Sequence, residues 1–186
     1  MAFESILVGS GEIFVAPTVE AAPVVNVAPA GNWVSLGDTD GGVAVNLNQT
    51  VDTHRVDDES GPVKKTISEE DLTIVVNLAE MTLENLARVL NNQTVTTDAG
   101  PPSTREMDLY RGIGGMVEFS VLFRGGSPYG AFNAQFHIPR AVHEGNIGSA
   151  FVKDNKTLIP VEFHALVDAA ASPATEKFGT WTAQDA

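Results

Sequence analysis

Two stretches of the chain alternate between apolar and polar residues over most of their length. Segment 43–52 reads VAVNLNQTVD and segment 69–77 reads EEDLTIVVN, so apolar residues recur at every second position. Successive side chains of a β-strand point to opposite faces, and this spacing is therefore typical of a strand with one buried face. The pattern predicts two strands, each with a core-facing side and a solvated side.

The periodicity changes directly after the second of these strands. In segment 82–90, TLENLARVL, apolar residues recur at intervals of three and four, which places them on one side of an α-helix. Thr82 is a suitable N-cap, and Glu84 lies in the first turn, where the helix dipole favours a carboxylate. We expect one short helix that packs on the core through Leu83, Leu86, Ala87 and Leu90.

Further strands are predicted on both sides of this central region. Segment 12–16 has the composition of a strand, and segments 117–123 and 131–138 alternate on either side of the turn sequence RGGSPYG. Segment 158–167 is a last strand. Because Pro160 near its start cannot donate a backbone hydrogen bond, this strand is expected to begin at an edge.

The remaining segments are expected to be irregular within a single domain spanning 1–186. Residues 1–32 contain three prolines, which favour either an extended N-terminal arm or an ordinary surface loop. Three further irregular stretches are the charged inter-strand loop 53–68, the break at 93–103, and a C-terminal extension, 168–186, whose aromatic residues dock. The predicted fold class is mainly β, sandwich-like or barrel-like, with one short flanking helix and one long loop.

Acidic residues strongly outnumber basic ones. The 186 residues include 24 Asp and Glu against 11 Lys and Arg, which gives a net charge of −13. This charge repels nucleic-acid phosphates and argues against a protein that grips DNA or RNA, although it suits a surface along which DNA passes without sticking. The sequence has no cysteine, no signal-like segment and no apolar run of membrane-spanning length, so we expect a soluble protein without disulfides.

No catalytic, cofactor-binding or metal-binding residues are predicted. The GSG sequence at 9–11 lacks the third glycine of a dinucleotide loop, and the DTDGG and DDESG sequences lack the ligand spacing of a calcium loop. The four histidines, which share no metal-binding spacing, are His54, His137, His143 and His164. A catalytic site built from residues that are distant in the sequence remains an alternative, but nothing in the sequence favours an enzyme.

Many two-faced strands with little helix leave sheet edges that need a partner. An unpaired edge strand is a template for pairing with another chain. If several copies pair edge to edge, their polar faces line a water-filled channel while their apolar faces are sealed from it. The pattern therefore favours self-assembly into a ring.

Three sequence features resemble the tail tube proteins, also called major tail proteins, of long-tailed bacteriophages. They are GSGEIFVAP at 9–17, WVSLGDTDGGV at 33–43 and GPVKKTISEEDLTIVVNLAEMTLENLARVLN at 61–91. The third is the most specific, because family members combine a long loop, a strand and a short helix in that order. The resemblance implies a β-sandwich or barrel-like fold with a helix at its side, and hexameric rings that stack into a tube through which the genome passes.

The same resemblance implies partners and a location. The partners are further copies of the chain, other tail proteins at the tube ends, and phage DNA that passes without specific binding. The location is the virion tail, assembled in the cytoplasm of the host bacterium.

Carried onto this chain, the resemblance implies two functional surfaces. Strands 43–52 and 69–77, and with them 117–123 and 131–138, contribute to the channel lining. The residues expected to face the lumen are Asn46, Asn48, Thr50, Asp71, Thr73, Glu118, Ser120, Asn133 and Gln135. Loop 53–68 is expected to contact other subunits through Arg55, Asp57, Asp58, Glu59, Lys64 and Lys65.

Two alternatives stay open. Another ring-forming virion component, such as a tail terminator or head-decoration protein, would form rings but no extended tubes. A monomeric β-sandwich that binds sugar or protein would show an exposed aromatic platform. With Trp33 and Trp181 as the only tryptophans, the sequence does not make such a platform evident.

Overall fold

The computed structural model describes residues 11–90, 93–110, 113–148, 153 and 156–185. Residues 1–10, and with them the start of the predicted arm, lie outside the described residues. In chain order the elements are β1 (Glu12–Pro17), β2 (Val34–Ser35), β3 (Thr39–His54), β4 (Lys64–Leu78), α1 (Leu83–Val89), β5 (Val95–Asp98), β6 (Thr104–Met107), β7 (Glu118–Gly126), β8 (Asn133–His143), β9 (Ile159–Ala165), a 3-10 turn (Ala174–Glu176) and β10 (Thr180–Ala183).

One antiparallel sheet contains most of the strands. Its order is β2-β1-β7-β8-β9-β4-β3, and β10 pairs with the first part of β8, while β5 and β6 form a separate hairpin. The predicted mainly β class with one short α-helix is confirmed for the described residues. The predicted β7–β8 hairpin is also confirmed, with Val121 opposite Ile138 and Phe123 opposite Phe136.

A single hydrophobic cluster joins the two halves of the sheet. Ile13 and Val121, from β1 and β7, belong to the same buried cluster as Ile74 and Phe163, from β4 and β9. A flat sheet would keep these strands apart, so the sheet curls around its core. Leu36, which is completely buried, belongs to the same cluster and lies just after β2.

Strand β9 lies between β8 and β4 in the sheet order, but among the described residues its first part, which contains Pro160, pairs only with β4, so the strand begins at an edge as predicted. Pro160 is opposite Asn77 of β4, in a part of β9 that has no register partner on β8. Proline is tolerated at this position because β9 pairs only with β4 there, so the N–H that proline lacks does not interrupt pairing on both sides of the strand.

Strands β3 and β4 continue beyond the core as a two-stranded ribbon, here defined as residues 47–71. Their pairing extends to His54 opposite Lys64, with a register shift between Thr50 and Val51. Nearly all ribbon side chains are exposed on both faces. The ribbon therefore projects away from the buried core.

The predicted loop 53–68 was too long. The connection between the strands comprises only residues 55–63, and Lys64 and Lys65 belong to β4. Thr, Val and Ile in this part of the sequence favour extended pairing, and charged side chains are accommodated because both faces meet solvent.

Helix α1 begins after Thr82, whose Oγ1 accepts a hydrogen bond from the backbone N–H of Asn85 at 3.1 Å, as the sequence predicted. The predicted core stripe was only partly right. Ala87 is buried, but the other buried helix residues are Asn85 and Val89. The half-buried members of the stripe are Leu83, Leu86 and Leu90.

Residues 18–32 cross the outer face of β7 and β8 and are called the strap. The N–H of Val19 donates to the carbonyl oxygen of Pro139 at 2.8 Å. After the strap, Trp33 is buried in a second small cluster with Phe14 and Leu122. From residue 18 onward, the segment read as an arm or loop therefore packs on the chain's own sheet.

The C-terminal segment contains more structure than expected. Phe178 packs against the main core cluster, which confirms that the extension docks. Strand β10, which the sequence did not reveal, pairs with β8 through Thr180 opposite His137 and Trp181 opposite Phe136.

Candidate assembly surfaces

The polar face of β3 and β4 carries five of the residues expected to face a lumen. In the strand register, Asn46 is opposite Thr73, Asn48 opposite Asp71, and Thr50 opposite Glu69. Cross-strand partners share a face, and Nδ2 of Asn46 lies 3.5 Å from Oγ1 of Thr73. Thr73 is buried, whereas the three β3 residues are exposed. The structure thus brings these five residues together on one strand face, called the polar face. The expectation that Thr73 lines an open channel was wrong, because its side chain is 4% exposed and covered by its neighbours.

His164 of β9 extends the polar face and is surrounded by carboxylates. Its Nε2 lies 3.3 Å from a carboxylate oxygen of Glu162, and its Nδ1 lies 3.8 Å from Glu144 and 3.9 Å from Asp71. In the described part of the chain, no group of three or more His, Cys, Asp or Glu side chains has a geometry that could hold a metal ion. Because Asp71, Glu144 and Glu162 surround His164, the polar face is acidic. An acidic surface disfavours the retention of phosphates.

The second surface expected to line a lumen, on β7 and β8, lies beneath the strap. Oγ of Ser120 accepts a hydrogen bond from the N–H of Glu20 at 2.8 Å, and Nε2 of Gln135 donates to the carbonyl oxygen of Pro23 at 2.6 Å. Ser120 is 0% exposed and Gln135 is 4% exposed. The expectation that these two side chains face an open channel was wrong, because they bind backbone groups of the strap instead of water.

The other two residues of β7 and β8 that were expected to face a lumen lie in different environments. Glu118 is half-buried and pairs with Arg140 through contacts of 2.8 Å and 2.9 Å. The hydrogen bonds and positive charge of Arg140 lower the pKa of Glu118 below its usual value. Asn133 is exposed at the start of β8. The charge of Glu118 is therefore largely compensated within the chain.

Two further side chains of the same face hold the strap. The guanidinium of Arg124 donates to the carbonyl oxygens of Val25 and Val27, the latter at 2.7 Å. Nε2 of His137 lies 3.0 Å from the carbonyl oxygen of Glu20, and burial lowers the pKa of His137. This part of the β7–β8 face thus contributes to folding rather than to an open surface.

The ribbon carries an apolar side and a charged tip. Cross-strand pairing places Val51 beside Ile67 and Leu47 beside Leu72. Leu47 lies on the same strand face as Val45, which packs on the main core, so this ribbon side continues the core face beyond the core. Its exposed members, called the ribbon apolar side, are Leu47, Val51 and Ile67. The exposed charged residues of the connection are Arg55, Asp57, Asp58 and Glu59.

A row of aromatic rings crosses β7, β8 and β10. The ring centroids of Phe123 and Phe136 are 6.3 Å apart, and those of Phe136 and Trp181 are 5.0 Å apart with planes only 7° from parallel. Trp181 is exposed at the end of this row. Sequence reasoning missed the row because its members come from three segments and one of them, β10, is only four residues long.

A comparison with known protein families and with curated proteins found no match. Among the residues that the structure describes, no helix is long and apolar enough to cross a membrane. The features of the chain that bear on its function are therefore the polar face, the ribbon and the aromatic row.

Proposed function

We propose that this chain is a tail tube protein of a long-tailed bacteriophage. In this role it is a structural protein and not an enzyme, and its copies close into rings that stack into a conduit for the genome. The sequence resemblance supplies the hexameric ring as the expected unit. The observation that carries the proposal is the ribbon, which projects from the core with apolar side chains in water.

An isolated monomer gains little stability from such a projection. The hydrophobic effect stabilises a structure only when apolar surface leaves water, and Val51 and Ile67 are 45% and 54% exposed. Exposed apolar surface of this kind is typical of a protein contact. The ribbon is therefore assigned to contact with other copies of the chain.

The free edge of β3 supports ring closure. Strand β3 has 16 residues, and among the residues that the structure describes it pairs only with β4. Pairing of this edge with a neighbouring copy would satisfy its backbone groups and align the polar faces of successive copies around a channel. The lining would contain Asn46, Asn48, Thr50 and Asp71, with no Lys or Arg among them.

This lining suits the passage of DNA. Acidic and neutral polar groups offer phosphates neither ion pairs nor counterion release, so DNA slides without being held. Other tail proteins at the tube ends complete the assembly, which forms in the cytoplasm of the host bacterium and ends in the virion tail.

Negative-stain electron microscopy of the purified protein tests the proposal. We expect tubes of uniform diameter. Closed rings that never stack would favour a tail terminator or a head-decoration protein, and monomers at every concentration would overturn assembly altogether.

A paired substitution tests the ribbon itself. Val51→Ser with Ile67→Ser removes apolar surface that is already in water, so the melting temperature should stay within a few degrees while tube formation is lost. Val24→Ser is the control, because Val24, at 65% exposed, also presents an apolar side chain to water but lies on the strap. Tubes of normal length from the double variant would exclude the ribbon as a contact.

The aromatic row favours one second candidate, a monomeric module that binds sugar. Trp181 is 58% exposed and stacks on Phe136, and aromatic ring faces pack well against the apolar faces of sugars. In a Trp33→Phe background, Trp181 is the only tryptophan and its fluorescence would report oligosaccharide binding. A monomer whose emission changes on titration with oligosaccharides would support this candidate over the tail tube.

A further inference from the structure

The aromatic row lies on the face of the sheet that forms the core. Phe123 is two residues after Val121 on β7, and Val121 belongs to the main core cluster, so both side chains share one strand face. Phe136 is opposite Phe123, and Trp181 is opposite Phe136. The row therefore carries the core face past the core and ends in Trp181, which is 58% exposed.

The aromatic row and the ribbon apolar side lie at the same end of the sheet. One line of register partners crosses five strands through Glu118, Val142, His164, Thr73 and Asn46. Each neighbouring pair from β7 through β8, β9 and β4 to β3 is antiparallel, so β7 and β3 point the same way. Phe123 is five residues after Glu118 on β7, and Val51 is five residues after Asn46 on β3. Both surfaces therefore lie on the same side of the line, about 17 Å beyond it.

The two surfaces do not cover each other within one chain. Val51 is 45% exposed and Ile67, opposite it, is 54% exposed, while Trp181 on the other surface also meets water. Exposed apolar side chains of this size are typical of a protein contact. A contact between the ribbon apolar side and the aromatic row is therefore available only to two different copies.

The ribbon apolar side ends in a positive charge. Lys65 lies two residues from Ile67 towards the ribbon tip, on the same side of β4, and it is exposed. Glu70, an acidic residue nearer the core, already accepts a hydrogen bond from Gln49 at 2.7 Å. The charge left for a partner at the tip end of this surface is therefore that of Lys65.

The aromatic row ends in a negative charge. Asp185 lies four residues after Trp181, which places it on the same side of the chain where the strand alternation continues. The N–H of Gln184 still donates a hydrogen bond to β8, at 3.0 Å, so the extended pairing continues to the residue before Asp185. Asp185 is exposed. In both surfaces, apolar side chains lie nearer the core and one charged residue lies farther from it.

This order of apolar and charged residues fixes the relative orientation of two copies. When two copies lie side by side with their strands pointing the same way, Val51 and Ile67 meet Trp181 while Lys65 meets Asp185. In the opposite orientation, Lys65 would lie towards the partner's core instead. Opposite charges at the rim of an apolar contact select this arrangement. Because the two surfaces differ, the contact is heterologous, and a rotation that closes makes it a ring.

We propose that the aromatic row of one copy packs on the ribbon apolar side of the adjacent copy, with Asp185 facing Lys65. The inference rests on the proposed function in that copies lie side by side in a ring. It names the surface that covers the ribbon, and it makes a second copy of this chain, rather than a sugar, the partner of Trp181.

The emission of Trp181 tests which surface covers it. A reporter chain carries Trp33→Phe, which leaves Trp181 as the only tryptophan, together with Val51→Ser and Ile67→Ser, which remove its own ribbon apolar side. The added chain has no tryptophan, through Trp33→Phe and Trp181→Phe, and keeps its ribbon. Its addition should move the emission of the reporter to shorter wavelength, because the exposed indole leaves water.

The control for this experiment is the same tryptophan-free chain with Val51→Ser and Ile67→Ser. It should leave the emission of the reporter unchanged, since it lacks the surface that covers Trp181. An equal shift with this control, or no shift with the intact ribbon, would overturn the contact.

The absence of cysteine from the sequence permits a cross-linking test of the orientation. One chain carries Lys65→Cys and another carries Asp185→Cys, and a short bifunctional maleimide is added under conditions in which the wild-type chain assembles. Covalent dimers from the mixture should exceed those from either chain alone at least about tenfold, because neighbouring copies hold the two thiols at a high effective concentration. Asn48→Cys replaces Lys65→Cys in the control mixture, since Asn48 is also exposed but lies on the polar face. Equal yields from the two mixtures would overturn the proposed orientation.

The outcomes separate this contact from the tail tube function. Tubes that form without the cross-link between positions 65 and 185 would leave the tail tube standing and exclude this contact. Cross-linked closed rings that never stack would support the contact and exclude the tube. A chain that stays monomeric at all concentrations would exclude both.

Discussion

The side-chain amide of Asn85 donates a hydrogen bond from Nδ2 to the carbonyl oxygen of Leu36 at 3.0 Å and thereby ties helix α1 to the connection between β2 and β3. Oδ1 of the same amide accepts a hydrogen bond from Arg88 at 3.1 Å. Asn85 is buried, so water does not replace these partners easily. A polar residue rather than a leucine thus fixes where the helix meets the sheet.

Asn85→Ala should destabilise the chain by about 1–3 kcal/mol, because the buried carbonyl oxygen of Leu36 would lose its partner. Urea unfolding followed by circular dichroism measures this loss. Asn48→Ala is the matched control, since Asn48 is exposed and should change stability by no more than about 0.5 kcal/mol. Equal stabilities of the two variants would show that the amide does not anchor the helix.

Sequence periodicity located the strands whose two faces differ most. The second half of β4 shows the predicted alternation, because Ile74, Val76 and Leu78 enter the core while Val75 is exposed. The same reasoning failed for Asn85, since a stripe defined by apolar residues cannot include a buried amide. It also missed β5, β6 and β10, which have four residues each and too few positions to show a period.

The candidate surfaces were predictable where they depend on one hairpin. Asn46 and Thr73 were placed on one face correctly, because strand pairing follows from the two alternating segments. Ser120 and Gln135 show the same alternation, yet they are covered by a strap more than 90 residues away in the chain. The alternation of residues within a strand shows that one face is polar. It does not show whether that face is covered by water or by the backbone of a segment distant in the sequence.

Gly179 should be required for the attachment of β10. Its φ is +128°, a value that residues with a side chain rarely adopt, and an added Cβ would lie 2.0 Å from the carbonyl oxygen of His137. Gly179→Ala should therefore displace β10 and separate Trp181 from Phe136. In a Trp33→Phe background, the emission of Trp181 should move to longer wavelength. Gly115→Ala, where an added Cβ meets nothing within 4 Å, should leave the emission unchanged.

His137 should make the strap sensitive to acid. Burial lowers its pKa in the folded state, so below about pH 6.5, the usual histidine value, the unfolded chain binds more protons than the folded chain. The stabilising contribution of neutral His137 is thus present above that pH and is lost as the pH falls through the lowered value. Urea unfolding between pH 7.5 and 5 should show stability decreasing with acid.

His137→Gln keeps an N–H donor for the carbonyl oxygen of Glu20 but removes the titrating group. The variant should therefore lose less stability between pH 7.5 and 5 than the wild type. Identical pH dependence in the two chains would mean that His137 does not contribute to acid sensitivity.

If the polar face lines a channel, its charge should control how readily DNA passes. Asn48 and Thr50 are exposed on the polar face, whereas Thr73 is buried and a lysine there would disturb folding rather than test the lining. Asn48→Lys with Thr50→Lys should permit tube assembly, because both positions already meet water. Repeated around every ring, the added cations should bind DNA phosphates and slow genome release, most strongly at low salt where screening is weakest.

Virions that carry both lysines would be followed for DNA release against ionic strength. Asn26→Lys is the matched control, because Asn26 is exposed on the strap and away from the polar face. Slowed release from the double variant, relieved by added salt and absent from the control, is expected if the polar face lines the channel. Release at the wild-type rate at every salt concentration, from tails of normal length, would mean that this face is not the lining, because a repeated ring of cations cannot be neutral to a passing polyanion.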